Sequence, residues 1–482
     1  MKPATTLIPT KDHRYVYSDQ LRYFLFVPPE LERIIKEGTV PADADDYYAR
    51  KFQFLKEARF FEETHTGFQT EYPAERIKQN IACLRQLLIE VTDRCNLRCK
   101  YCGYGELYFN YDKRDTRNQS FANVKVLIDE LARLWQSDYN VSYQNTVAIG
   151  FYGGEPLLNM RLIRETIAYL ESLCLKNLKF RFNMTTNAVL LDRYMDYLVE
   201  KDFFLLISLD GDEYQNSYRT DRKGRSSFPK VRDNILKLKN TYPDFFEKNV
   251  HFNAVLHDRN SVEGCLNYIH ETFGKAPRIS ELNTNGIAPE KLEEFRKMFN
   301  SRYDGFRKVL EEQPEIKEKF EMEDAASIEY HSVIMNYGGN RYKTYVDLFE
   351  PVAEKKIIPT GTCRPFERKL FLTVNGKILP CERIGQEHVL GWVKDGTVQL
   401  DYEAVGRYYS SLYQKIIRNC IHCQLKRSCG QCLLLLKEKD GKLTCPYIQT
   451  DERLRATFSA FLSYAEKNPG DYERLLSSII VS

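Results

Sequence analysis

Long hydrophobic runs are missing from this chain. The longest, such as 203–209, fall far short of the roughly 20 apolar residues that cross a bilayer, so no membrane partner is expected. Net charge is missing too: 70 Lys and Arg stand against 67 Asp and Glu, for a formal charge of +3. That balance offers no electrostatic footprint for nucleic acid. The first twenty residues are polar and lack the apolar core of a secretory signal, which leads us to expect a soluble, cytoplasmic protein. Histidine is sparse, eight in all, scattered from His13 to His422 without a ligand-spaced pair. Cysteine is abundant. Thirteen of them in a chain expected in a reducing compartment read as metal ligands rather than disulfides.

Three of these cysteines, Cys95, Cys99 and Cys102, stand in the order Cys, three residues, Cys, two residues, Cys, within RCNLRCKYCGYG. They follow an apolar run ending at Thr92 that reads as a buried strand. Three ligands differ in meaning from four. A structural zinc site is closed by four, whereas a cubane iron–sulfur cluster held by three leaves one iron open for another group.

The 482 residues suffice for roughly three domains. In the middle of the chain, β-like runs at 86–92, 146–152, 178–185, 203–209, 250–256 and 278–283 alternate with amphipathic stretches such as 121–134 and 160–173. Repeated strand–helix units imply a parallel sheet, and six of them an open partial barrel, with chemistry at the C-terminal strand ends. In front, 14–18 and 20–27 pattern as a hairpin. Pro28-Pro29 then opens a helix with Leu31, Ile34 and Ile35 on one face, and a second helix is expected near 45–56. A stripe of apolar residues from Leu292 to Leu310 at helical spacing reads as core.

The strand ends carry further signals. Phe151-Tyr152-Gly153-Gly154-Glu155-Pro156 pairs glycines, which let backbone approach a ligand, with a glutamate able to accept from an ammonium group. Thr185-Thr186-Asn187-Ala188 and Ser208-Leu209-Asp210-Gly211 end the next two strands, and Arg219, Arg222 and Arg225 follow. Taken together, the cysteine loop with Tyr101 before its last cysteine and these strand ends resemble the radical S-adenosylmethionine (radical SAM) enzymes. The resemblance implies a 4Fe–4S cluster on Cys95, Cys99 and Cys102. It implies S-adenosyl-L-methionine contacts from Tyr101, Gly153, Gly154, Glu155, Asn187, Ser208 and Arg219. Ala188 departs from the family's usual glycine.

A second array lies downstream: Cys363, Gly376, Cys381, Cys420, Cys423, Cys429, Cys432 and Cys445. Read alone, 420–432 looks like a zinc knuckle. The whole series resembles the SPASM extension of peptide-modifying radical SAM enzymes, which carries two auxiliary 4Fe–4S clusters. That resemblance assigns Cys363, Cys381 and Cys432 to one cluster and Cys420, Cys423, Cys429 and Cys445 to the other, making three clusters in all. The first auxiliary set is one thiolate short. Cys83, Cys174 and Cys265 remain, with core packing as their default role. Glu382, beside Cys381, stands where relatives keep a carboxylate that takes a substrate proton.

The expected organisation is a small α+β precursor-recognition-like domain at 1–80, a partial (β/α)6 TIM-like barrel at 81–288 and a helical bridge at 289–360. A SPASM domain at 361–450 and closing helices at 451–482 complete it. The resemblance implies an enzyme that modifies a ribosomally made precursor peptide, with thioether formation the leading reaction and an electron donor such as flavodoxin or ferredoxin. The alternatives are carbon–carbon crosslinking, anaerobic conversion of Cys or Ser to formylglycine, and a non-catalytic iron–sulfur or zinc peptide adaptor.

Overall fold

The computed structural model describes residues 6–62, 67–142, 146–313, 315–320, 325–338, 358–360, 364–424, 426, 429–471 and 473. The chain divides into two compact units. One comprises residues 1–71, 321–362 and 410–482; the other comprises 72–320 and 363–409.

The first unit opens with three antiparallel strands, β1 (Thr6–Pro9), β2 (Arg14–Ser18) and β3 (Tyr23–Phe26), in the order β1-β2-β3. The alternation at 14–27 foreshadowed β2 and β3; β1 is too short to announce itself. Pro29–Glu37 is helical, buries Leu31, Ile34 and Ile35, and stops at Gly38, whose φ of 70° supplies a left-handed cap. Asp45 caps the helix Asp46–Glu57 by accepting from the Tyr47 N–H. These helices pack on Val16 and Val27 from one face of the sheet. On the other side, Ile8 and Tyr17 join Tyr330, Val333 and Tyr337 of Ala325–Tyr337 and Phe458, Phe461 and Leu462 of Asp451–Lys467. Of the closing helices, only Asp451–Lys467 lies fully inside the described residues.

The second unit is built on ten strands. The six expected ones are present: β4 (Gln86–Thr92), β5 (Thr146–Gly153), β6 (Lys179–Thr186), β7 (Phe204–Ser208), β8 (Val250–Val255) and β9 (Arg278–Ser280). Each pairs in parallel with the next. Helices including Phe121–Trp135, Met160–Ser172, Leu191–Glu200, Phe228–Thr241 and Val262–Phe273 make the crossovers. Four more strands extend the sheet beyond β4: β10 (Lys369–Leu372), β11 (Lys377–Leu379), β12 (Gly391–Lys394) and β13 (Thr397–Gln399), in the order β13-β12-β11-β10-β4. β10 runs parallel to β4, pairing Leu370 with Leu87 and Leu372 with Ile89, while β11 to β13 form an antiparallel meander. The sheet remains open between β13 and β9. This is a partial (β/α)6 barrel with a cysteine-rich C-terminal region. The unit begins at Tyr72, so the helix Ala74–Ala82 groups with the barrel, where Asn80 donates to the Tyr72 hydroxyl and the Pro365 carbonyl, both at 2.8 Å.

The stripe from Leu292 resolves into two helices, Leu292–Met298 and Arg302–Glu312, with Ser301 capping the second by accepting from the Asp304 N–H. Its Phe295 and Met298 bury against Tyr101, Leu107, Tyr108 and Leu282 under the cysteine loop.

One charge lies inside the sheet. Glu90 of β4 is 1% exposed, accepts from Arg114 at 2.5 Å and from the Val374 N–H at 2.9 Å. It thereby ties the β10–β11 turn to β4. Burial raises the Glu90 pKa despite the opposing pull of Arg114. Removing one partner leaves the other charge buried without compensation. Arg114→Ala should therefore lower unfolding free energy by about 3 kcal/mol, and adding Glu90→Gln should recover part of it; denaturant titration of the three proteins checks this.

Candidate active site

The cysteine loop leaves β4 and is pinned from two sides. On one side, the Arg98 N–H donates to the Thr220 carbonyl at 2.7 Å and the Lys100 N–H to Tyr218 at 3.1 Å. On the other, the Gly154 N–H donates to Thr92 at 2.9 Å and the Glu155 N–H to Arg94 at 2.8 Å. The close approach the paired glycines permit is thus first to the chain itself. A Cβ on Gly153, whose φ is +133°, would sit 2.2 Å from the Thr92 oxygen, and one on Gly154 would sit 2.0 Å from that of Arg94. Only glycine lets β5 reach the root of the loop.

Glu155 locks the next strand end to this junction. It is 1% exposed and accepts from Thr186 Oγ1 at 2.7 Å and from the N–H groups of Asn187 at 2.8 Å and Leu157 at 3.2 Å. A carboxylate has about four acceptor positions, so one remains for a further donor. Burial pushes its pKa up to about 7, against these three hydrogen bonds. Asn187 in turn donates to Asn96 Oδ1 at 2.8 Å, beside Cys95. Ala188, where glycine was expected, has φ of +59° and is fully buried. The loop keeps the left-handed conformation that glycine favours and accepts strain of about 1–2 kcal/mol for it.

On the opposite wall, Arg219 lies 7% exposed in a two-pronged ion pair with Asp210, Nε and Nη2 each 2.9 Å from a carboxylate oxygen. Asp210 also accepts from the Tyr101 hydroxyl and, at 3.0 Å, from the Val255 N–H. His257 stacks on the Tyr101 ring with centroids 5.4 Å apart. Burial alone would raise the Asp210 pKa; Arg219 and His257 outweigh it and hold the carboxyl well below its usual range. Asp210 and His257 were not singled out from sequence. Of the three arginines considered for a cofactor carboxylate, Arg219 alone lines the cavity; Arg222 reaches the Cys95 carbonyl at 3.3 Å and Arg225 pairs with Asp221 at 2.7 Å.

These groups surround one cavity of about 740 Å³ at the C-terminal ends of the strands. Its wall brings together Cys95, Cys99 and Cys102 with Tyr101, Gly153, Gly154, Glu155, Asn187, Ser208, Arg219 and Glu382. Glu382 is bound by Lys369 at 2.8 and 3.1 Å. Burial raises its pKa, but Lys369 prevails and keeps the carboxyl below its ordinary value. It is an ionised acceptor and a weak base.

Burial lifts the thiol pKa of Cys95 to about 11 and of Cys99 to about 12, with neighbouring thiols adding to the effect. Such thiols lose their protons to a bound metal, which stabilises the thiolates. Among the described residues, no group of three or more His, Cys, Asp or Glu is placed so that it could hold a metal ion. A cluster distributes its thiolates over separate irons, and three soft ligands on one wall with room beyond them suit that geometry. The donor set fits a cluster with an adjoining cofactor.

In the other unit, Cys420, Cys423, Cys429 and Cys445 line a cavity of about 290 Å³. Burial, followed by the neighbouring thiols, pushes Cys420 up to about 11. Cys381 is half-buried, and Cys363 lies outside the described residues. Of the remaining cysteines, Cys265 is buried with Sγ 3.1 Å from the Asp210 carbonyl, and Cys83 is half-buried at a helix end. Cys174 is exposed in the loop after the helix Met160–Ser172, at φ of 45°, so core packing does not account for it.

Residues 89–267 match the radical SAM superfamily. That match runs from β4 into the helix Val262–Phe273 and so spans most of the barrel. The chain is 30% identical over 162 residues to the cysteine-type anaerobic sulfatase-maturating enzyme of Clostridium novyi, covering 33% of this chain and 41% of that protein. It is 24% identical over 374 residues to the radical SAM cyclopropyl synthase TigE of Paramaledivibacter caminithermalis, covering 75% and 70%. The solved structure of native anSMEcpe with bound AdoMet and Kp18Cys peptide superposes with a TM-score of 0.51 at 18% identity, over 81% of this chain and 98% of that one. At that identity the likeness speaks for the fold. Among the described residues no helix is long and apolar enough to cross a membrane.

The raised Glu155 pKa has a signed consequence. Protonated Glu155 is favoured by folding, so its contribution is complete below its unfolded value of 4.5 and is lost as pH rises through about 7. Relative to Glu155→Gln, the metal-free protein should lose about 3 kcal/mol between about pH 4.5 and pH 8, measured by denaturant titration across pH.

Proposed function

We propose that this chain is a radical SAM enzyme that takes hydrogen from a Cys- or Ser-bearing peptide or protein segment. The observation that carries this reading is the single cavity wall shared by the three loop thiols, the Gly153–Glu155 cradle and Glu382. Cys95, Cys99 and Cys102 would hold a 4Fe–4S cluster; Gly153, Gly154, Glu155, Asn187, Ser208, Tyr101 and Arg219 would hold S-adenosylmethionine. Bound together, these groups supply one-electron cleavage of the cofactor's sulfonium bond and a carbon radical that removes substrate hydrogen. The chain's own part is to position and to exclude water. Glu155 has one acceptor position left for an ammonium group, and Asp210 fixes the attitude of Arg219 and Tyr101. Glu382, held ionised by Lys369, faces the space where a substrate proton would leave.

Two outcomes compete. Oxidation of Cys or Ser to formylglycine gains support from the sulfatase-maturating relatives. Thioether formation rests on the sequence of the C-terminal array, whose seven cysteines are one thiolate short of the eight that two closed clusters would take, leaving an iron for a substrate sulfur. In this reading the array carries two auxiliary clusters in a SPASM-type arrangement. Anaerobic reaction with cysteine-bearing peptides, followed by mass spectrometry, separates the outcomes. Loss of sulfur with gain of an aldehyde marks the first; loss of two hydrogens with retention of sulfur marks the second. Recovery of unchanged peptide across a sulfatase-derived and a multi-cysteine substrate would rule out both.

Anaerobic reconstitution should give about twelve irons per chain. Replacing Cys95, Cys99 and Cys102 together by Ala should remove about four of them and abolish 5′-deoxyadenosine formation. Stoichiometric zinc with little iron would count against the assignment.

The front sheet supports a role in substrate capture. Among the described residues β3 is an edge strand paired only with β2, and its Tyr23 and Phe26 are exposed at 55% and 47%. An extended leader segment could add there by backbone pairing. Deleting residues 1–71 should weaken precursor binding by tenfold or more, about 1.4 kcal/mol, and leave S-adenosylmethionine binding intact. Titrations of both ligands on both proteins provide the check.

A further inference from the structure

Resting on the peptide-modifying reading above, we infer that the substrate presents a side-chain carboxylate next to the reacting residue, and that Arg278 and Arg302 receive it. The cavity's other charged groups are already engaged. Arg219 is paired with Asp210, Glu382 with Lys369 and, at 3.7 Å, with Arg383, and Glu155 accepts three donors. Glu281 accepts the Arg302 backbone N–H at 2.6 Å. The guanidinium groups of Arg278 and Arg302, both on the cavity wall, make no hydrogen bond or ion pair with any described residue.

Their placement follows from the fold. Arg278 opens β9 level with Asn253 of β8, which is itself level with Ser208 of β7. The three stand in one row across the strands and all line the cavity. Arg302 begins the helix Arg302–Glu312, and its backbone bond to Glu281 holds it at the β9 end of the same opening. Both arginines are exposed at the mouth, away from the buried wall formed by Glu155 and Arg219. Two unpaired guanidinium forks at the entrance match one or two carboxylates in geometry and charge. They would also repel a basic segment, so they discriminate as well as attract.

The test uses the full chain, reconstituted anaerobically, and three short fluorescent peptides. Each holds one cysteine in a Gly/Ser frame, flanked by Glu, by Gln or by Lys. The Glu peptide should bind about tenfold more tightly than the Gln peptide, with the difference shrinking as salt rises. Arg278→Gln with Arg302→Gln should erase the preference, and Arg278→Glu with Arg302→Glu should transfer it to the Lys peptide. A purely structural role would not produce that reversal, and circular dichroism verifies folding. Equal affinity for the three peptides overturns the inference. So does a preference that survives the double Gln variant, or a loss confined to S-adenosylmethionine binding. Formation of 5′-deoxyadenosine without peptide, under chemical reductant, reports on the radical reading separately. Its absence in the unmodified protein would sink that reading, whereas its presence with no charge preference would sink only this inference.

Discussion

Everything in the candidate site depends on a contact between two stretches of backbone with no room for a side chain between them. The end of β5 lies against the root of the cysteine loop, with Gly153 over Thr92 and Gly154 over Arg94. Two hydrogen bonds across this seam set the direction in which the loop leaves β4. Glu155 extends the tie to β6, and Asn187 carries it back to Asn96. The thiols are therefore placed by strand ends, which are rigid, and only locally by the loop that carries them.

The barrel was readable because each buried strand is a short apolar run followed by a helical pattern, and β4 through β9 fall where those runs do. The site residues were readable for a related reason, since motifs at strand ends converge in any parallel sheet. The meander β10–β13 was not. Its strands are three or four residues long, and the pairing that joins it to the barrel, β10 with β4, brings Lys369 level with the distant Gln86. No local pattern reports such a pairing. The stripe from Leu292 to Leu310 read as continuous because periodicity survives a break that Ser301 makes by capping.

Asp210 illustrates a different blind spot. In sequence it is one acid in Ser-Leu-Asp-Gly, and nothing marks it. In space it gathers Arg219, Tyr101, the Val255 N–H and His257 around one fully buried carboxylate. Arg219 and Tyr101 were singled out in the sequence, but the group that fixes their attitude was not. Positioning residues of this sort show no spacing rule, because their partners come from separate strands. Ala188 is the converse: its identity suggested an altered loop, yet its left-handed backbone retains the shape glycine would give.

The pairing of β10 with β4 makes the segment that carries Cys381 part of the barrel, whereas Cys420 to Cys445 belong to the other unit. β4 is buried along nearly its whole length, and β10 occupies the side not taken by β5. A chain stopping after residue 320 would expose that row of unpaired N–H and C=O groups on a strand buried along nearly its whole length, an invitation to intermolecular pairing. The extension, whatever its metal chemistry, also serves as the barrel's guard against aggregation.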